Sequence, residues 1–199
     1  MGLEGESEGM VASALVLVAL LEAADSSVSQ LGVEGPKPNT VGLGANIGLF
    51  VNKFGVATHA RISGEFTLYS RPLNDLVALI QVGSGMAISF PSDSVFKEHY
   101  QHVAMAGFGY RSNHDLISWG FQLALGAVWY RTSFKPGPYL FESTVTAYSE
   151  GRAQFGIKLA TSFRMGVYVG YGSPLYYPLL HPGSLFVGGF MFGLYADFR

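Results

Sequence analysis

The last residues of the chain, FVGGFMFGLYADFR (186–199), sort their side chains by parity. One row reads Phe186, Gly188, Phe190, Phe192, Leu194, Ala196, Phe198, and the other Val187, Gly189, Met191, Gly193, Tyr195, Asp197. Successive side chains of a strand point to opposite faces, so a strand here has one nearly unbroken apolar face and one of small or polar residues. A soluble barrel turns such a row inward; a barrel in lipid turns it outward.

The same period of two recurs from Thr40 onward, in segments separated by Gly, Pro, Asn, Asp or Ser clusters. In TVGLGANIGLFVN, residues Val41, Leu43, Ala45, Ile47, Leu49 and Val51 oppose Gly42, Gly44, Asn46 and Gly48. In ATHARISGEFTLYS, the row Ala60, Ile62, Gly64, Phe66 and Leu68 opposes His59, Arg61, Ser63, Glu65, Thr67 and Tyr69. Here every charge is on one face, so the two faces must meet different surroundings. LVALIQVGSGMAISF and HYQHVAMAGFGYR carry weaker patterns, with Ile80, Val82, Met86 and Ile88, then Ala104, Ala106, Phe108 and Tyr110, placed outward. The pattern sharpens again in LISWGFQLALGAVWYR, in YLFESTVTAYSE, where Glu142, Thr144, Thr146 and Tyr148 share a face, and in FGIKLATSFRMGVYVGY, read as one segment. With the C-terminal segment this predicts eight strands. RPLND, RSNHD and EGRAQ read as tight polar turns, and PSDSVFKE and GSPLYYPLLHPGS as longer loops. The link Lys53 to Val56 is short for the loop side.

Composition supports a lipid-facing wall. Charged residues are 13%, about half the usual share for a soluble domain, aromatics reach 14%, and 26 glycines disfavour long helices. In hydrocarbon every backbone N–H and C=O must be paired within the protein, which only helices and closed barrels achieve. The one continuous apolar run, VASALVLVALL (11–21), is shorter than the roughly 20 residues a spanning helix needs. Its length suits the core of a secretory signal, with Ala23, Ala24, Ser27 and Ser29 following, although the preceding MGLEGESEG is acidic where such signals are basic. A short helix retained in the mature protein is the other reading of this run. The expected organisation is a signal-like segment over 1–30, a Gly/Pro-rich linker over 31–39 and a barrel over 40–199. The chain has no Cys, which excludes disulfides and thiolate metal sites, and a net charge of −2, which offers no basic field to nucleic acid.

Aromatic residues fall near segment ends: Tyr69, Tyr110, Trp119, Tyr148 and Phe198 toward one end, Phe90, Tyr100, Trp129, Tyr139 and Tyr171 toward the other. Two such belts suit two membrane interfaces. Over residues 40–199 the sequence resembles the small eight-stranded outer-membrane β-barrels of Gram-negative bacteria, of the OmpA/OmpX type. The resemblance implies an all-β, antiparallel, up-and-down transmembrane barrel in the bacterial outer membrane, touching membrane lipid and lipopolysaccharide. It also implies that Phe190, Phe192, Leu194 and Phe198 form a C-terminal signal for the barrel-assembly machinery. Arg199 departs from the family, which usually ends on the aromatic residue itself.

An eight-stranded barrel is just wide enough for side chains to fill it. The expected lumen cluster is Asn46, Arg61, Glu65, Gln122, Glu142, Lys158 and Arg164. Buried charges of both signs must pair, which favours a salt-bridged plug over a narrow porin-like passage for small solutes. A catalytic site is not expected. EHYQH (98–102) is superficially similar to the His-x-Ser stretch of the lipid A deacylases, but Gln101 stands in the nucleophile's place. His59 and Asp75 would need distant folding to join a Ser, and His99 and His102 lie at i, i+3, which a strand places on opposite faces. No metal or cofactor is expected. In the loop SPLYYPLLHPGS (173–184), Leu175, Tyr176, Tyr177, Leu179 and Leu180 either meet a partner or fold over the barrel mouth. The expected role is structural or surface-interacting, with narrow solute passage as its extension. A lipid A-modifying barrel enzyme and a soluble lipocalin-like carrier are the alternatives.

Overall fold

The computed structural model describes residues 40–71, 74–92, 94–113, 116–135, 141–160, 162–175 and 182–199. The signal-like segment, the linker, Tyr139 and Tyr176 to Leu180 lie outside the described residues. Strands β1 (Val41–Asn52), β2 (Gly55–Arg71), β3 (Asn74–Ser89), β4 (Phe96–Asn113), β5 (Ile117–Phe134), β6 (Phe141–Ala160), β7 (Phe163–Pro174) and β8 (Gly189–Phe198) follow in order, with a short 3-10 helix at Pro182–Phe186 before β8. Each strand pairs antiparallel with the next, and β8 closes on β1. No described helix is long and apolar enough to cross a membrane.

The closure is staggered. From Val41 the register passes through Phe66, Ala78, Phe108, Leu123, Gly151, Tyr171 and Phe190, and it returns to β1 at Val51, ten residues further on. A stagger of this kind goes with strands tilted about 35–45° to the barrel axis. Side chains then divide by parity. On β5, Ile117, Phe121, Leu123, Leu125 and Trp129 face out while Ser118, Gln122, Ala124, Val128 and Tyr130 are buried. Trp119 and Trp129 are ten residues apart on this strand, about 33 Å along it and about 25 Å in height once tilted, matching the apolar band of an outer-membrane barrel.

Both belts are present in altered form. Tyr69, Tyr110, Trp119 and Phe198 lie toward the end that carries the tight turns; Tyr110 packs on Trp119, and Phe163 on Phe198. Tyr100, Trp129 and Tyr171 lie toward the loop end, where Phe190 packs on Tyr171. Tyr148 does not belong to a belt: its parity is that of Thr146 and Glu150, and it is fully buried in the lumen. Phe90 turns into the mouth, against Phe96 and Phe186.

Two segment readings need correction. EGRAQ is the middle of β6, which runs on to Ala160 before β7 begins at Phe163. Glu150, Arg152 and Gln154 alternate into the lumen while Gly151, Ala153 and Phe155 face out or half out, so a run that looks like a turn by polarity obeys the strand period. Likewise the C-terminal apolar row begins at Phe190. Gly188 and Gly189 hold φ of +92° and +123°, and this breaks the strand and sends Phe186 into the mouth instead. A Cβ at Gly188 would also meet the carbonyl carbon of Gly172 at 2.9 Å. Gly188→Val is expected to lower stability by about 1–3 kcal/mol through backbone strain alone, read as a lower midpoint of urea unfolding in detergent. An unchanged midpoint would mean the loop does not need this turn.

Candidate functional site

The lumen is where the chain concentrates its chemistry, and it is built in three levels. Nearest the tight-turn end, Glu65 on β2 accepts two bonds from Arg111 Nη2 on β4 at 2.7 and 2.9 Å, and the same nitrogen reaches Asp197 on β8 at 3.1 Å. Gln122 donates to Glu65 at 3.3 Å and accepts from Gln81 at 3.3 Å. Arg199 meets Asp75 at 2.5 Å, and Ser70 donates to the same carboxylate at 2.7 Å. Arg164 stands opposite Asp197 in the β7–β8 register and is buried.

At mid-height, Arg61 on β2 spans the barrel to Glu150 on β6, with Nη1 at 2.8 and 2.7 Å from the two carboxylate oxygens. Arg152 Nε donates to Oε1 of the same Glu150. One carboxylate thus serves two guanidiniums, and aromatic faces receive the remaining charge: Arg61 lies 5.3 Å from the Phe50 ring centre and Arg152 5.1 Å from that of Tyr168. The Tyr168 hydroxyl is hydrogen-bonded to His59. Gly48 makes room for it, since a Cβ there would collide with that hydroxyl. None of Arg61, Glu150 and Arg152 is more than 5% exposed. Ions taken so completely out of water are tolerated only when paired.

The mouth is closed by residues 182–187. Glu142 accepts from Tyr130 at 2.6 Å and from the Gly183 N–H at 3.1 Å, which pins the short helix to β5 and β6. Asn52 donates to the carbonyls of Phe186 and Gly188 at 3.3 and 2.9 Å. Phe186 sits among Phe90, Phe96 and His99, with ring centres 5.0, 5.4 and 5.0 Å away, and Val187 packs below it against Tyr130 and Tyr148. This cap includes only the 182–184 end of the loop SPLYYPLLHPGS; of its apolar patch, Leu175 is exposed and Tyr176, Tyr177, Leu179 and Leu180 lie outside the described residues.

Asn46, Arg61, Glu65, Gln122 and Arg164 are buried in the lumen. Glu142 is half-buried at the mouth, and Lys158 is half-buried at the opposite rim, in register with Arg164. Phe190, Phe192, Leu194 and Phe198 are exposed on the outer wall. Sequence reasoning left Asp75, Arg111, Glu150, Arg152 and Asp197 out of the cluster. The first four sit in RPLND, RSNHD and EGRAQ, the strings read as turns. Continuing the strand parity through those strings would have recovered them.

Elsewhere the structure separates the remaining candidates. His59 and Asp75 lie ten register steps apart on the β2–β3 ladder, about 33 Å along the strands. His99 is buried against Thr132 at 2.8 Å, whereas His102 is on the outer wall, stacked on Trp129 and 2.7 Å from Ser84 Oγ. Ser84 and His102 thus form a contact that spacing along one strand hides. Among the described residues no carboxylate bonds to His102, the third member that a Ser-His-Asp arrangement uses. Among the described residues no group of three His, Asp or Glu is placed to hold a metal.

Eight antiparallel strands closed in sequence order, apolar outside and ion-paired inside, give this chain the fold of the small outer-membrane β-barrels of the OmpA/OmpX type. Neisserial surface protein A is similar in structure, with a TM-score of 0.55 at 8% identity over 80% of this chain and 95% of that one. The N-terminal barrel domain of Pseudomonas aeruginosa OprF aligns at 0.49 and 10% identity, over 81% and 98%, and Ail, the attachment invasion locus protein of Yersinia pestis, at 0.45 and 10%, over 79% and 92%. At the sequence level no family model and no curated protein matches the chain.

Proposed function

We propose that this protein is a non-conducting barrel of the bacterial outer membrane whose role is structural or surface-interacting. The observation that supports this reading is the set of ties across the lumen: Arg61–Glu150 and Arg111–Asp197 join opposite walls, and the 182–187 segment lies over the mouth. The narrow-passage extension is disfavoured by the same ties, because a solute would have to separate fully buried ion pairs. The lipocalin-like alternative is disfavoured by polarity: the enclosed space is charged, while Leu123 and Phe190 are 70% and 69% exposed on the wall. The outer-membrane location rests on that wall and on the fold shared with Neisserial surface protein A. In the same reading, Phe190, Phe192, Leu194 and Phe198 are displayed to the barrel-assembly machinery, and the loop end faces lipopolysaccharide.

The test is conductance in planar bilayers. The reconstituted barrel is expected to give no stepwise currents, and Glu142→Ala, which frees only the cap, is expected to remain silent because the mid-level ion pairs persist. Steady unitary currents from the unaltered protein would overturn the reading.

A further inference from the structure

The outer wall carries one feature that an anonymous lipid-facing surface does not need. On the β8–β1–β2–β3–β4 side, toward the loop end, there is a trough of about 690 Å³, within the size range of ligand pockets. Its floor is made by short outward side chains, Thr58, Ala60 and Ser84, on neighbouring strands. Tall ridges flank it: Ile47 and Phe192 on one side, Met86 and His102 on the other. The register row Leu194, Ile47, Ala60, Ser84, His102, Trp129 crosses it. Because that register gains ten residues on β1 per circuit, the row climbs toward the loop end as it passes from β8 to β5. The trough therefore runs from the apolar band up to the belt of Trp129 and Tyr100. Among the described residues its upper rim carries Arg131, in register with Tyr100, with Lys97, Lys135 and Glu98 exposed nearby. A histidine on a lipid-facing wall, fixed by Ser84 and by stacking on Trp129, is also a polar group that the bilayer would select against unless it were used.

We propose that the trough is a binding site for an anionic membrane lipid, with an acyl chain laid along Thr58, Ala60 and Ser84 and the phosphate headgroup held at the rim by Arg131 and His102. The inference rests on the membrane reading above, and it adds a defined lipid site to it. Apolar floor, aromatic belt and cationic rim occur in the order in which such a lipid presents its chain, its interfacial region and its charge.

The chain's two tryptophans make the test direct, since only Trp129 borders the trough. The full-length Trp119→Phe protein is placed in phosphatidylcholine vesicles containing increasing fractions of acyl-brominated phosphatidylglycerol or acyl-brominated phosphatidylcholine. Half-maximal quenching of Trp129 is expected at about five-fold lower content of the anionic lipid. Ala60→Leu, which fills the floor from outside, and Arg131→Gln, which removes the guanidinium that holds the headgroup, are each expected to bring the two curves together. Identical curves for the unaltered trough, or a preference that survives both substitutions, would overturn the site. The Trp129→Phe protein, reporting from Trp119 at the far belt, separates the two failures: no quenching of either tryptophan would mean the barrel is not in the bilayer, which overturns the membrane reading as well.

Discussion

Replacing Glu150 with alanine is expected to destabilise the barrel by about 3–5 kcal/mol, the cost of leaving buried charge uncompensated. The effect is large because this carboxylate is shared: both of its oxygens bond to Arg61, and Oε1 also accepts from Arg152. Its loss leaves two guanidiniums facing each other inside a wall with little access to water. Arg61→Met is expected to cost less, because Glu150 keeps Arg152. A triple variant with Met at 61 and 152 and Leu at 150 is expected to be neutral or to regain stability, since apolar groups of similar volume avoid desolvation altogether. Urea unfolding in phospholipid vesicles, followed by the gel mobility of unboiled samples, gives all the values on one scale. If Glu150→Ala unfolded at the same midpoint as the unaltered chain, the lumen would have to be hydrated and the plug discarded.

The second large effect concerns the wall. Leu125→Arg is expected to lower bilayer stability by about 2–4 kcal/mol, because the residue is 61% exposed and lies between Trp119 and Trp129, near the middle of the apolar band. The same change on a water-facing surface would fall within about 0.5 kcal/mol. Thr132→Arg would not discriminate, since that side chain is inside the mouth. The pair Leu125→Arg and Ser143→Arg, the latter exposed near the loop end of β6, therefore reads depth: a penalty at 125 with little at 143 is the expected signature.

Strand parity was legible in the sequence wherever both faces had a clear character. On β2, Arg61 and Glu65 alternate with Ile62 and Phe66, and the structure places the first pair inside and exposes Ile62 on the wall. It was obscured where polarity imitated a turn. In β6 the run Glu150 to Gln154 contains Gly and three polar residues, a composition shared by loops and by a lumen ion cluster, so length and parity had to decide. The partners themselves were not legible. Arg61 and Glu150 are 89 positions apart and meet only because β2 and β6 face each other across a closed ring. Nor was the Ser84–His102 contact, which depends on the β3–β4 register. Nor was the anchoring of the mouth cap legible, because Glu142 reaches the Gly183 N–H from a segment 41 residues away.

Because the chain has no native Cys, single cysteines test the central claim cleanly. Leu123→Cys, Ala124→Cys and Leu125→Cys, made one at a time in the vesicle-inserted protein, are to be exposed to a thiol reagent confined to the bilayer core. The account expects rapid labelling at 123 and 125 and none at 124, whose side chain is only 6% exposed and turned to the lumen. Labelling at 124 with protection at 123 and 125 would contradict it, as would a folded barrel that stays dispersed in buffer without detergent or lipid.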